Sequence, residues 1–179
     1  MNIKAATVFC GSKPGNDIAY VQVAENIGQM LANKGITLVY GGGNKGIMGA
    51  IANACLQAEG KVIGIIPKLL LAWEAQHEGL TELIVTESMH ARKLLLYEKC
   101  DIAIILPGGM GTLDELFEML TWNNLKIHNK KVYIMNVNGY YDTLIQLLDN
   151  MDAKGFMYES WRARLIECKS VQNFMDALA

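Results

Sequence analysis

The sequence predicts an α/β fold: a parallel β-sheet with helices on both faces, in a single domain over residues 1–179. Three observations carry this. Short, nearly unbroken apolar runs recur along the chain, which is how strands buried on both faces of a parallel sheet read. Stretches with apolar residues at helical spacing separate them. Glycine-rich loops follow three of the runs, so they lie at the carboxyl edge, where open α/β sheets bind ligands.

The elements follow in order. Ala5 to Phe9 is the first strand, ending in the turn-rich loop Cys10-Gly11-Ser12-Lys13-Pro14-Gly15. Asp17 is placed to cap a helix to about Asn33, with Ile18, Val21, Ala24, Ile27 and Leu31 as its inner face and Lys34-Gly35 as its end. Ile36 to Tyr40 is the second strand, leading into Gly41-Gly42-Gly43-Asn44-Lys45-Gly46 and a helix from about Ile47 to Glu59. Val62 to Ile66 is the third strand, closed by Pro67, and Lys68 to Gly79 reads as a loop with a short helix carrying Trp73 and Glu74. Leu83 to Thr86 is the fourth strand, and Ser88 caps a helix reaching Lys99. Ile102 to Leu106 is the fifth, followed by Pro107-Gly108-Gly109-Met110-Gly111 and a helix beginning at Thr112, with Leu113, Leu116, Phe117 and Leu120 on one face. Lys131 to Val137 is a sixth strand, Tyr140 to Met151 a helix, Arg164 to Cys168 a last strand, and Ser170 caps a terminal helix.

Bulk properties narrow the function. Sixteen basic against 18 acidic residues give a net charge of −2, which does not support an electrostatic nucleic-acid binder. No apolar run approaches the ~20 residues of a membrane span, and the chain opens without a signal-peptide pattern. Cys10, Cys55, Cys100 and Cys168 are far apart and lack metal-ligand spacing, so neither a metal site nor a disulfide framework is expected. A reduced, cytoplasmic setting fits.

The chemistry concentrates after the fifth strand. A helix starting over the glycine loop presents free N–H groups and a positive dipole end, for which a phosphate is the natural guest. Glu115 lies where an acid faces that guest. Thr112-Leu113-Asp114-Glu115 also fits the capping box T-x-x-E, in which Glu115 would only bond the backbone. Gly41, Gly43 and Gly46 fit G-x-G-x-x-G, but the following strand ends in Pro67 without the acid that a dinucleotide ribose needs, and no Gly-Lys-Ser/Thr marks a P-loop. Arg92 and Lys93 stand in the first turns of their helix, where the dipole disfavours cations, and this hints at an anion nearby. Asp114 and Glu118 read equally as solvated helix acids, His90 as incidental, and Trp122 as core or interface.

Together these residues resemble the Lonely guy family of cytokinin riboside 5′-monophosphate phosphoribohydrolases, formerly labelled lysine decarboxylase-like. The signature P-G-G-x-G-T-x-x-E is matched by Pro107, Gly108, Gly109, Gly111, Thr112 and Glu115, and the Arg-Lys signature by Met89-His90-Ala91-Arg92-Lys93. Phe9-Cys10-Gly11-Ser12, Tyr40-Gly41-Gly42-Gly43 with Gly46-Ile47-Met48-Gly49, and Asn136-Val137-Asn138-Gly139-Tyr140-Tyr141 are similar too, so the likeness spans roughly residues 5–150. Ala91 departs from it, since family members often carry an acid there.

The resemblance implies a Rossmann-like fold, a homodimer, no cofactor, and hydrolysis of the N-glycosidic bond of an N6-substituted adenosine 5′-monophosphate to free base and ribose 5-phosphate. It implies Arg92 and Glu115 as catalytic. Substrate contacts would come from Glu74, Arg92, Lys93, Gly108, Gly109, Met110, Gly111, Thr112, Leu113, Asp114, Glu115 and Thr121, with Gly11, Ser12, Gly42, Gly43 and Gly46 as phosphate or ribose loops. In this reading the helix N-terminus and Arg92 keep Glu115 ionised. Two rivals stand beside it: a carrier of a phosphorylated cofactor such as the molybdenum cofactor, and a pyridoxal phosphate decarboxylase, for which no specific Schiff-base lysine signature is found.

Overall fold

In a computed structural model, residues 3–71 and 76–178 are described. Seven parallel strands form one sheet in the order β4-β3-β2-β1-β5-β6-β7. They are β1 (Ala5–Phe9), β2 (Thr37–Tyr40), β3 (Val62–Pro67), β4 (Glu82–Thr86), β5 (Ile102–Ile105), β6 (Val132–Met135) and β7 (Leu165–Cys168). The helices are α1 (Ile18–Asn33), α2 (Gly46–Gln57), α3 (Lys68–Leu71), α4 (Met89–Glu98), α5 (Met110–Asn124), α6 (Asp142–Ala153) and α7 (Val171–Leu178), with short 3₁₀ turns at Val137–Gly139 and Trp161–Ala163. None of the described helices is long and apolar enough to cross a membrane.

Alternation along the strands builds two cores. Ala6, Val8, Leu38, Tyr40, Val62, Ile102 and Ile104 face Ala24, Ile27 and Leu31 of α1, Ile47 and Ile51 of α2, and Phe174 of α7. Phe9, Val39, Ile65, Ala103, Ile105 and Ile134 face Leu96 of α4, Leu116 and Met119 of α5, and Leu148 of α6. Strands covered on both sides are apolar at nearly every position, which is why they read as almost unbroken runs. Burying one such Leu or Ile contributes about 1.5–3 kcal/mol.

The caps agree with the sequence where a side chain makes them. The Asp17 carboxylate accepts from the Ala19 N–H at 2.9 Å, the Ser88 hydroxyl from Ala91 N–H at 3.2 Å, and the Ser170 hydroxyl from Asn173 N–H at 3.1 Å. Two expectations are corrected. Ile18 is 69% exposed, because the first residue of α1 projects past the layer that its later turns pack against. Helix α5 starts at Met110, not Thr112, with Gly109 as its N-cap.

Candidate active site

The strand order reverses direction between β1 and β5, and the loops leaving these two strands part over that fork. They are tied together and to the β2 loop. Gly11 N–H donates to Pro107 O at 3.0 Å, and Met48 N–H to Gly11 O at 3.3 Å. Gly46 takes φ +59°, and a Cβ there would lie 2.5 Å from the Ser12 backbone, so only glycine lets the two loops touch. From the far side, the Tyr140 hydroxyl donates to Gly108 O at 2.6 Å and that of Tyr141 to Leu106 O at 2.7 Å. Asn136 holds the start of this segment: its Oδ1 accepts from Tyr141 N–H, and its amide donates to Asp142 and Glu167.

The glycines after β5 divide into two kinds. A Cβ on Gly108 would lie 2.1 Å from Thr112 Oγ1 and 2.9 Å from Gly11 N, so this glycine is required by packing. A Cβ on Gly109 or Gly111 would meet nothing within 4 Å. These two leave open space over the start of α5. Gly109 offers no side-chain cap, so the first N–H groups of the helix face that space. The capping box is not built: Thr112 is the third helical residue and Glu115 stands in the second turn.

Glu115 and Arg92 meet in a cleft of about 260 Å³, lined also by Cys10, Ser12, Met48 and the Gly109–Thr112 stretch. Arg92 comes from α4 and is buried, with Nε donating to Ile65 O at 3.1 Å and Nη2 to Gly41 O at 3.4 Å. Burial raises the Glu115 pKa to about 7; the Arg92 and Lys93 charges pull it down, and the Asp114 and Glu118 carboxylates push it up. Desolvation therefore outweighs Arg92, so Glu115, which the helix end and Arg92 were expected to keep ionised, ionises only near neutral pH. Burial and the Glu115 charge push the Cys10 thiol up, so it stays neutral on the cleft floor.

The anions beside the cationic first turns of α4 turn out to be the protein's own. Lys93 Nζ lies 2.8 Å from Asp114 and 3.5 Å from Glu118, clasping α4 to α5. Lys93, Leu113, Asp114 and Thr121 do not line the cleft, nor do Gly42, Gly43 and Gly46 among the described residues. Gly108 lines a neighbouring cleft of about 270 Å³ that shares Gly11, Ser12 and Gly109 with the first and reaches Tyr20 and Tyr140. Glu74 and Trp73 lie outside the described residues; just after them, His77 N–H bonds Gly42 O at 3.0 Å. Trp122 stacks edge-on to Tyr97 at 4.8 Å, and His90 is exposed. Sequence reasoning missed Cys10 and Met48 as cleft walls and the carbonyls that grip Arg92. Cys10 and Gly41 were signalled only by position, directly after β1 and β2, while Met48 lies in α2 and Ile65 inside β3.

A pyridoxal phosphate would need a Schiff-base lysine. Among the described residues the lining of this cleft holds none, so they do not fit that group.

Comparison with known proteins gives the family. A protein-family model described as "possible lysine decarboxylase" matches residues 48–178. A cytokinin riboside 5′-monophosphate phosphoribohydrolase of Rhodococcoides fascians is 44% identical over 176 residues, covering 98% of this chain and 89% of that one. One of Arabidopsis thaliana is 39% identical over 175 residues, covering 98% and 82%. Among solved structures, a molybdenum cofactor binding protein from Rippkaea orientalis superposes with a TM-score of 0.74 at 22% identity, covering 99% of this chain and 96% of that one, a likeness that shows the shared Rossmann-like fold alone. With relatives this similar over nearly its whole length, the chain belongs to the Lonely guy family of cytokinin riboside 5′-monophosphate phosphoribohydrolases.

Proposed function

We propose that the protein hydrolyses the N-glycosidic bond of N6-substituted adenosine 5′-monophosphates, releasing the free base and ribose 5-phosphate. The observation that carries this is the placing of Arg92 and Glu115 in one cleft beneath the open N-terminus of α5. The substrate phosphate sits on the N–H groups of Met110 to Thr112, in the space that Gly109 and Gly111 leave, beside Gly11 and Ser12. The bond from C1′ to the base nitrogen breaks with its electron pair going to the base, and positive charge builds on the ribose ring. Ionised Glu115 stabilises that charge and takes a proton from the water whose oxygen adds to C1′. The departing base takes up a proton. Arg92 grips a substrate oxygen with the N–H groups it has left over from Ile65 and Gly41. A carboxyl with pKa about 7 is matched to this work, since it accepts and returns a proton near neutral pH.

Glu74, Lys93, Asp114, Leu113 and Thr121 remain proposed substrate contacts from the resemblance, with Lys93 and Asp114 freed from their mutual pair to make them. A homodimer is also proposed. Leu69, Leu71, Val85, Met89 and Leu94 are exposed on consecutive elements at the β4 edge, a surface that suits a second copy. A cytoplasmic setting is proposed from the four free cysteines. The test of the reaction is chromatography of the base released from AMP and from isopentenyl-AMP. Nucleotide binding without base release would replace the hydrolase with a carrier.

A further inference from the structure

Arg92 is the one Lys, Arg, Asp or Glu residue that is buried among the described residues. A buried cation is tolerated only when its donors are satisfied and its position is fixed. Two carbonyls fix it by taking its Nε and one Nη2 donor, Ile65 O within β3 and Gly41 O just after β2, and the remaining N–H groups are left for the substrate of the proposed reaction. Gly41 does more than accept a bond. A Cβ there would lie 2.3 Å from Arg92 Nη2, 3.6 Å from Arg92 Cζ and 3.5 Å from Met48 Sδ. Its φ lies outside the left-handed region, unlike that of Gly42 at +81°. The backbone at Gly41 thus accepts any residue, and the guanidinium alone excludes one.

We infer that Gly41 is a positioning residue for the reaction proposed above: its missing side chain is the seat of the Arg92 guanidinium. The first glycine of the G-x-G-x-x-G match therefore serves an arginine rather than a phosphate. The inference rests on the hydrolase reading for its kinetic consequence, but the seat itself is a matter of geometry. A methyl group at Gly41 drives the planar fork out of its slot, because the fork cannot bend around it. The groups facing Glu115 are Cys10 just after β1, Arg92 and Lys93 from α4, and Asp114 and Glu118 from α5. Of these, Arg92 is the largest influence favouring the carboxylate, so withdrawing it moves the Glu115 titration to higher pH.

The experiment pairs Gly41→Ala with a direct view of the arginine. The chain has three arginines, Arg92, Arg162 and Arg164, and the latter two pair with carboxylates at the surface. In a ¹⁵N-labelled sample, the Arg92 Nε–H bonded to Ile65 O exchanges slowly with solvent, and Arg92→Lys assigns the signal. Gly41→Ala is expected to abolish that protection, to lower kcat by about 100-fold, and to shift the acid limb of the pH–rate profile upward. A purely structural role would lower the melting temperature and leave the limb in place. Should Gly41→Ala fail to fold, the double variant Gly41→Ala/Arg92→Ala is expected to fold, since the clash is gone. A protected Nε–H with unchanged kcat in Gly41→Ala, or an unfolded double variant, overturns the inference. A wild-type chain that releases no base refutes the hydrolase reading instead, and the Nε–H signal then still decides the seat.

Discussion

Glu115→Gln is expected to make the protein slower and sturdier at once. The carboxyl is raised from 4.5 to about 7, so the folded chain holds its proton more tightly than the unfolded chain does. Below pH 4.5 both states are protonated and the environment costs nothing. Between 4.5 and 7 the cost of ionising Glu115 in the folded state grows, and above 7 it is present in full. A rise of that size corresponds to about 3 kcal/mol lost from stability at alkaline pH. Glutamine has the shape of the protonated acid and never ionises. The variant should therefore gain about 3 kcal/mol over wild type at pH 8.5, or roughly 6–12 °C in melting temperature for a chain of this size, and much less at pH 5. Urea unfolding of both proteins at the two pH values measures the difference, and base release in the same samples should fall by about 100-fold or more. A Glu115→Gln protein with the same stability increment at both pH values would show that the buried carboxylate is not strained. One that turns over normally would remove Glu115 from the chemistry.

Further outcomes follow from the same geometry. Glu118→Gln removes a charge that pushes the Glu115 pKa up, so the acid limb of the pH–rate profile should move to lower pH; Lys93→Met removes one that pulls it down and should move the limb the other way. Gly109→Ala should leave the melting temperature within a few degrees yet raise KM several-fold, because its methyl enters the space over α5, whereas Gly108→Ala meets Thr112 and should destabilise by about 1–3 kcal/mol. Tyr140→Phe breaks the bond to Gly108 O at a cost of about 1 kcal/mol, and should raise KM more than it lowers kcat. Gly46→Ala, strained at φ +59° and pressed on Ser12, should lower the urea midpoint more than any of these.

The strands were legible because a parallel sheet covered on both faces leaves few positions for a polar side chain, the buried Thr7 of β1 being held by its hydroxyl bond to Leu96 O. β1 falls on the residues expected, and β2, β3 and β5 within one or two of them. Asp17, Ser88 and Ser170 were legible as caps because the signal is the side chain that does the work. The start of α5 was not, because Gly109 caps by having no side chain while Thr112 and Glu115 imitate a capping box two residues later. Arg92 and Glu115 stood out as residues, but their setting did not. The carbonyls holding Arg92 come from Ile65 and Gly41, 27 and 51 positions away in the chain, and no local pattern records such distances. The burial that lifts Glu115 is likewise a property of packed neighbours, not of T-x-x-E. Lys93 looked like a ligand for a foreign anion because its partners Asp114 and Glu118 lie on another helix.

The strand order has a consequence for how the molecule comes into being. The sheet grows outward from β1 through β2 and β3 to β4, then returns across α4 to lay β5 on the other side of β1. While the first hundred residues emerge from a ribosome, the β1 edge with Ala6 and Val8 has no neighbour on that side and is a template for wrong pairing. Arg92 is already on the nascent chain at that stage, while helix α5, which carries Glu115, is not. The arrival of β5 thus seals the exposed edge, and α5, which follows it directly, brings Glu115 to Arg92, so a chain stalled before β5 lacks the Arg92–Glu115 pair and keeps an edge open to wrong pairing.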